Sequence, residues 1–216
     1  KEVYNLSLMS LTISGNIETA ISTVLKYKKK FGSKEDDSII SNFLIFINEV
    51  KNNNSKKALQ HLNNSKSFLI TEKMMPILQS WLSDNLKLAS SYLDKYEYKA
   101  EGLALSNIYF HHLGLIQYYH NRKKLSKDTF EKHLQVFNMD KLRTLYFYSK
   151  LFNLDNKKNK YISKFLNEFP NHSFSQYLEK TNKQALKKSI SPREGISEAL
   201  YNLAQTLYSQ NMFETS

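Results

Sequence analysis

The stretch SPREGISEALYNLAQTLY, residues 191–208, decides the fold class. Within it Leu200, Leu203, Ala204, Leu207 and Tyr208 recur at i, i+3, i+4, i+7 and i+8, the spacing that gathers apolar side chains on one face of an α-helix. Ser191 stands where an N-cap belongs, Pro192 takes the first helical position, and Glu194 completes a capping box three residues after the cap. A helix therefore starts at Ser191-Pro192 and buries one side.

Working outward, the same period returns along the whole chain. Val3 to Ile13 reads as a helix, Ser14-Gly15-Asn16 as a tight turn, and Ile17 to Phe31 as a second helix with Gly32 as its C-terminal cap. Lys28, Lys29 and Lys30 fall in the last turn of that helix, where cations face its negative end. Ser38 to Val50, the polar turn Lys51 to Asn54 and Ser55 to Leu62 form the next helical hairpin. Ile77 to Leu82 with Leu86 to Tyr98, Leu105 to Tyr119 with Ser126 to Phe137, and Leu142 to Leu154 with Lys160 to Phe169 continue the series. Five glycines and three prolines are too few for a turn-rich β-fold, and no strand pattern interrupts the helices.

A helical hairpin cannot bury both its faces alone, so a series of them implies stacking. Hairpins of about 34 residues, with small residues where their helices cross, are the unit of tetratricopeptide arrays. Gly15, Ala20 and Val24 fit that pattern in the first hairpin, although Leu8 stands where a small residue is usual; Ala58 and Leu62 repeat it in the second. Leu113-Gly114, Asn121, Ser126 and Phe130 carry it in the fourth. Ile162 and the exit Phe169-Pro170-Asn171 follow in the fifth, and Leu200, Leu203, Ala204, Leu207, Asn211 and Phe213 in the last. An extra helix around Phe174 to Leu186 is expected to break the stacking between the last two copies.

On these residues the chain resembles tetratricopeptide-repeat proteins, and residues 191–213 resemble a segment of large members of that family from alphaproteobacteria. The resemblance implies a right-handed α-α superhelix. Residues 1–190 read as divergent hairpins and 191–216 as the start of a better-matching repeat, cut inside its second helix. It further implies a protein or peptide partner on the concave surface, and an exported or envelope location. Transferring the concave positions names Asn5, Met9, His111, Tyr118, Arg143, Phe147, Lys150, Tyr201, Gln205 and Tyr208 as the groove. Its mixed aromatic and cationic character suits an extended or helical peptide with acidic groups. The cut also predicts an apolar face on the last helix through which the chain self-associates.

Other function classes are disfavoured by what the residues are. The glycines at 15, 32, 102, 114 and 195 are isolated and form no phosphate-cradling loop. His111, His112 and His120 have no i, i+4 histidine pair with an intervening glutamate and few acidic neighbours, so they read as core-edge or groove residues with no metal expected. Glu35, Asp36 and Asp37 precede a helix and read as its caps. Cysteine is absent, which removes disulfides and thiolate chemistry and leaves the compartment open. No apolar stretch approaches the roughly 18 residues of a membrane span. The chain opens at Lys1, read as a start removed by processing or by design. The expectation is thus a binding module without catalysis or cofactor.

Two rivals remain. The net charge of +11 admits a helical-repeat nucleic-acid binder, although 28 of the 31 basic residues are lysine and the only arginines are Arg122, Arg143 and Arg193. A solvated surface is the plainer reading of such charge. The other rival is an accessory arm for an enzyme domain elsewhere.

Overall fold

In the computed structural model the described residues are 2–32, 38–65, 71–96, 103–152, 159–181 and 189–209; within them the side chains of 71–73, 103–105, 179–181 and 206–209 are not described. They form twelve α-helices and one 3-10 turn, without a strand. The helices are α1 (Glu2–Ile13), α2 (Ile17–Phe31), α3 (Ile39–Lys51), α4 (Ser55–Asn64), α5 (Thr71–Trp81), α6 (Leu86–Leu93), α7 (Leu103–Tyr119), α8 (Lys123–Leu134), α9 (Leu142–Phe152), α10 (Lys160–Glu168), α11 (Ser173–Thr181) and α12 (Pro192–Ser209). The all-α expectation holds, and α1–α2, α3–α4, α5–α6, α7–α8 and α9–α10 each pack as a pair of sequential helices.

Three of the pairs are joined by one and the same turn. Gly15, Asn53 and Asn121 take left-handed φ values of 77°, 57° and 60°. In each case that residue's N–H reaches back three residues and the next N–H reaches back five: Gly15 to Thr12 and Asn16 to Leu11, Asn53 to Val50 and Asn54 to Glu49, Asn121 to Tyr118 and Arg122 to Gln117. These paired bonds satisfy the last carbonyls of one helix while reversing the chain. Five residues past the left-handed residue lie Ala20, Ala58 and Ser126, and nine past it Val24, Leu62 and Phe130, all fully buried. The hairpin α5–α6 has no left-handed residue in its turn, but Ala89 and Leu93 take the corresponding buried places. At the crossing of α7 and α8 a Cβ on Gly114 would come within 2.7 Å of the Phe130 ring, and Ser126 Oγ donates to Gly114 O at 2.7 Å. Only small residues admit that approach.

Asparagine tolerates the left-handed region and β-branched residues do not. We expect Asn121→Val to destabilise the protein by about 1–2 kcal/mol and Asn121→Gly to change it little, as read from urea midpoints.

Several boundaries differ from the sequence expectation. α5 starts five residues before Pro76 instead of after it; a proline this near a helix start forfeits only one early bond, and Met74 and Met75 are buried on the same helix. α6 ends at Leu93, where Lys95 N bonds Tyr92 O and Tyr96 N bonds Leu93 O, tightening the chain out of the helix with Tyr96 buried. α8 starts three residues early, at Lys123, and ends at Leu134. Ser38 is the N-cap of α3, its side chain accepting from Ser41 N. α11 is the extra helix. Residues 35–37, 154, 182–186 and 211–216, which carried other expectations, lie outside the described residues.

The chain divides into two compact units, Lys1–Tyr96 with Pro192–Ser216, and Glu97–Ser191. In the first, α1–α6 form three hairpins and α12 packs on α5 and α3. Among the described side chains of α12 the buried positions are Gly195, Ile196, Glu198 and Ala199. Leu200, Leu203 and Ala204, expected at the core, are half-buried. The face turns because the small residues Gly195 and Ala199 let α12 lie directly against Trp81 of α5: a Cβ on Gly195 would sit 2.2–2.4 Å from three carbons of the indole. In the second unit α7–α8 and α9–α10 form two hairpins, joined by the 3-10 turn Met139–Lys141, with α11 following.

Candidate partner-binding face

α9, LRTLYFYSKLF, has two sides. Leu145 and Tyr148 are completely buried. The Tyr148 hydroxyl donates to Glu131 Oε1 of α8 at 2.6 Å and accepts from Asn159 Nδ2, the N-cap of α10, at 3.2 Å. Burial, reinforced by the bond to Glu131, pushes this phenol well above its ordinary range. One hydroxyl thus ties three elements together. Tyr148→Phe removes it and leaves two partly buried polar groups without their partner; the expected loss is about 1–3 kcal/mol, measured by thermal or denaturant unfolding.

The other side of α9 carries Arg143, Tyr146, Phe147 and Lys150 at i, i+3, i+4 and i+7, neighbours on one helix face. The Arg143 guanidinium lies 5.9 Å from the Tyr146 ring centre and 5.6 Å from that of Phe147. Lys150 Nζ lies 5.9 and 5.5 Å from the same two rings. Two cations therefore bracket one aromatic pair, each within cation–π range. Flanking helices hold the rings. Tyr146 meets Phe174 and Tyr177 of α11 at 6.1 and 5.8 Å, and Phe147 meets His111 of α7 edge-on at 5.4 Å. His111 Nδ1 is 3.1 Å from Thr144 Oγ1 of α9. Burial, with the neighbouring Tyr146, raises the Tyr177 hydroxyl above its usual range.

The ten groove residues are divided between the two units. Asn5, Met9, Tyr201, Gln205 and Tyr208 belong to the first unit, and His111, Tyr118, Arg143, Phe147 and Lys150 to the second. His111, Tyr118 and Phe147 are corrected from groove to core: they are 3%, 5% and 7% exposed, and the Tyr118 hydroxyl donates to Leu151 O at 3.2 Å. The template assumes that each first helix turns the same side to solvent, whereas α9 packs directly on the side of α7 that holds His111 and Tyr118. Asn5 is half-buried; Met9, Tyr201 and Gln205 are exposed; the Tyr208 side chain lies outside the described residues. Of the transferred set, Arg143 and Lys150 are half-buried and share one face of α9, on either side of the same two rings. The residue missed was Tyr146, whose i+3 spacing from Arg143 was the available signal.

The chain matches no family model, no curated protein and no solved structure. The geometry alone thus carries the reading of this face. Among the described residues no three His, Asp or Glu side chains come together as metal ligands. His112 is fully buried, and His133 stacks on Phe110 with ring centres 5.5 Å apart. Burial lowers His120, and burial with the nearby Lys141 and His111 lowers His133 to about 3. No helix among the described residues is long and apolar enough to cross a membrane.

The basic charge is unevenly divided. Glu97–Ser191 contains 17 Lys and Arg against 8 Asp and Glu, a net +9, while the remainder has 14 against 12, a net +2. The +11 that reads along the sequence as scattered surface charge belongs almost wholly to the unit that carries the α9 face.

Proposed function

We propose that this chain is a non-catalytic scaffold that binds a protein partner, its hairpins winding into a right-handed superhelix of the tetratricopeptide kind. The observation that carries the reading is the paired-cation face of α9, where Arg143 and Lys150 are held by an aromatic pair from which nothing suggests covalent chemistry but which suits recognition. The recurring left-handed turn, with its buried small and large residues five and nine positions on, supports the repeat architecture.

The test is affinity capture from native cells, comparing the wild type with Arg143→Ala/Lys150→Ala. A discrete protein retained by the first and lost by the second is the expected result; a defined substrate turned over by the purified chain would overturn the reading. The +9 of Glu97–Ser191 is the specific observation that favours the second reading, a nucleic-acid binder, whose affinity would fall steeply with salt.

A further inference from the structure

We propose that α1 is a dimerisation helix: the face that carries Val3, Leu6, Met9 and Ile13 packs antiparallel on the same face of a second copy of this chain. This goes beyond the partner-binding reading of α9 and does not rest on it.

α1, EVYNLSLMSLTI, is apolar on both sides. Leu8, with Tyr4 and Leu11 beside it, packs into the core that Ala20, Ile21 and Val24 of α2 share with Ile40, Leu44 and Ile45 of α3. The opposite side carries Val3 and Ile13, 80% and 77% exposed, and Leu6 and Met9, also exposed. On α4, by contrast, the exposed residues are Lys56, Lys57, Gln60, Asn63 and Asn64. A helix that is apolar all round is one that is buried all round, whereas a helix facing water from a stacked array carries a polar outer face. The outer face of α1 therefore has the chemistry of an interface.

Its spacing points to the occupant. Val3, Leu6, Ser10 and Ile13 follow one another at intervals of 3, 4 and 3, the a/d seam along which one helix takes another. Laid antiparallel, Val3 of one copy covers Ile13 of the other and Leu6 covers the small Ser10, so the seam is complementary to itself, as a two-fold interface must be. Glu2 is the only charged residue among 2–13. The antiparallel arrangement leaves the two copies of Glu2 about 18 Å apart along the seam, roughly twice the screening length in physiological salt. Two chains of net charge +11 repel each other, and they do so least where α1 lies, since its unit carries +2 and the other +9.

The area sets the strength. At about 1.45 Å² per dalton of fully exposed chain, Val3, Leu6, Met9 and Ile13 offer roughly 400 Å² per copy at their observed exposures, as large as the largest apolar patch of an ordinary monomer. Paired, and with Ser7 and Ser10 at the edges, the two faces bury on the order of 1,000 Å², the small end of specific interfaces. The dimer is thus reversible and forms with rising concentration.

The experiment is sedimentation velocity on the whole chain over a hundredfold range of concentration, from about 2 to 200 µM, at 0.15 M and 1 M salt. Wild type is expected to move from one chain toward two, equally at both salts, because the seam is apolar. Leu6→Glu is expected to weaken the association at least tenfold. Leu6→Ser/Ile13→Ser does the same without a new charge should Leu6→Glu fail to fold, which circular dichroism melts identify. Leu125→Glu, the same change at an exposed leucine of α8, is expected to associate within twofold of wild type. The chain has no cysteine, so single cysteines report the pairing directly. An oxidised mixture of Val3→Cys and Ile13→Cys chains is expected to cross-link faster than either variant alone. A wild type that stays monomeric to 200 µM, dimers that persist unchanged in Leu6→Glu, or Val3→Cys chains that cross-link best with themselves overturn the proposal. So does a monomeric wild type that floats with phosphatidylcholine vesicles and loses them in Leu6→Glu, which would assign the face to lipid.

Discussion

Gly195→Ala is expected to destabilise the protein by about 2 kcal/mol or more and to shift the emission of Trp81 to the red. The sign is opposite to what helix propensity gives. Alanine in a helix interior is favoured over glycine by about 1 kcal/mol, and Gly195 lies in the first turn of α12 at a normal helical conformation. The added methyl, however, would sit 2.2–2.4 Å from three carbons of the Trp81 indole. Trp81 is 1% exposed and lies on α5 among Ile77, Leu78 and Leu82, so the ring has little room to give and α12 must move away from it. Overpacking a core by one methyl costs about 1–3 kcal/mol, and a withdrawn helix also uncovers Ile196 and Ala199. Trp81 is the chain's single tryptophan, so its fluorescence reports this contact alone. A melting temperature unchanged or raised, with emission as in wild type, would show that α12 does not lie against α5. A companion variant, Ser197→Ala, changes an exposed position of the same helix and is expected to leave both readouts unchanged.

That contact also shows where the sequence ran out of information. Hairpins announce themselves locally: Gly15 and the run Asn52-Asn53-Asn54 sit between apolar-faced segments, and the alternation of large and small residues at Gly114, Ser126 and Phe130 marks a close helix crossing in the sequence itself. The capped start of α12 is equally local. Its partner is not, because Trp81 is 114 residues upstream of Gly195 and nothing in either neighbourhood points to the other. The rotated face of α12 follows from that distant ring. The groove failed for a related reason. Transferring positions from a regular repeat presupposes regular spacing, while the corresponding buried small residues Ala20, Ala58, Ala89 and Ser126 are separated by 38, 31 and 37 residues. His111, Tyr118 and Phe147 then fall into the seam between α7 and α9. Arg143 and Lys150 stay on one face because their seven-residue spacing is internal to one helix. The division of charge became visible only when the units were known, since +9 and +2 average to a featureless surface along the sequence.

Acid is expected to weaken the second unit through His133. This imidazole is 8% exposed and stacked on Phe110, its Nε2 is buried without a hydrogen-bond partner, and the Lys141 ammonium donates to His133 O at 2.8 Å from the following turn. His111, from α7, is the other titratable group facing it. Burial first, then Lys141 and His111, depress its folded pKa to about 3. The unfolded chain, with an ordinary value near 6.5, therefore binds the extra proton between those limits while the folded chain does not. Stability is complete above the unfolded value, declines as pH falls through 6.5, and stops declining below the folded value. At pH 4.5 the loss from this one group is about 2–3 kcal/mol. His61 and His120, each lowered chiefly by burial, act in the same direction. His133→Phe keeps the ring stack and removes the titration, so its stability at pH 7 should lie within about 1 kcal/mol of wild type while at pH 4.5 it should exceed wild type. Urea unfolding at the two pH values measures the difference. Parallel losses in wild type and variant would mean that His133 takes up its proton in the folded state, and that the space beside Lys141 is wetter than the packing of Phe110 implies.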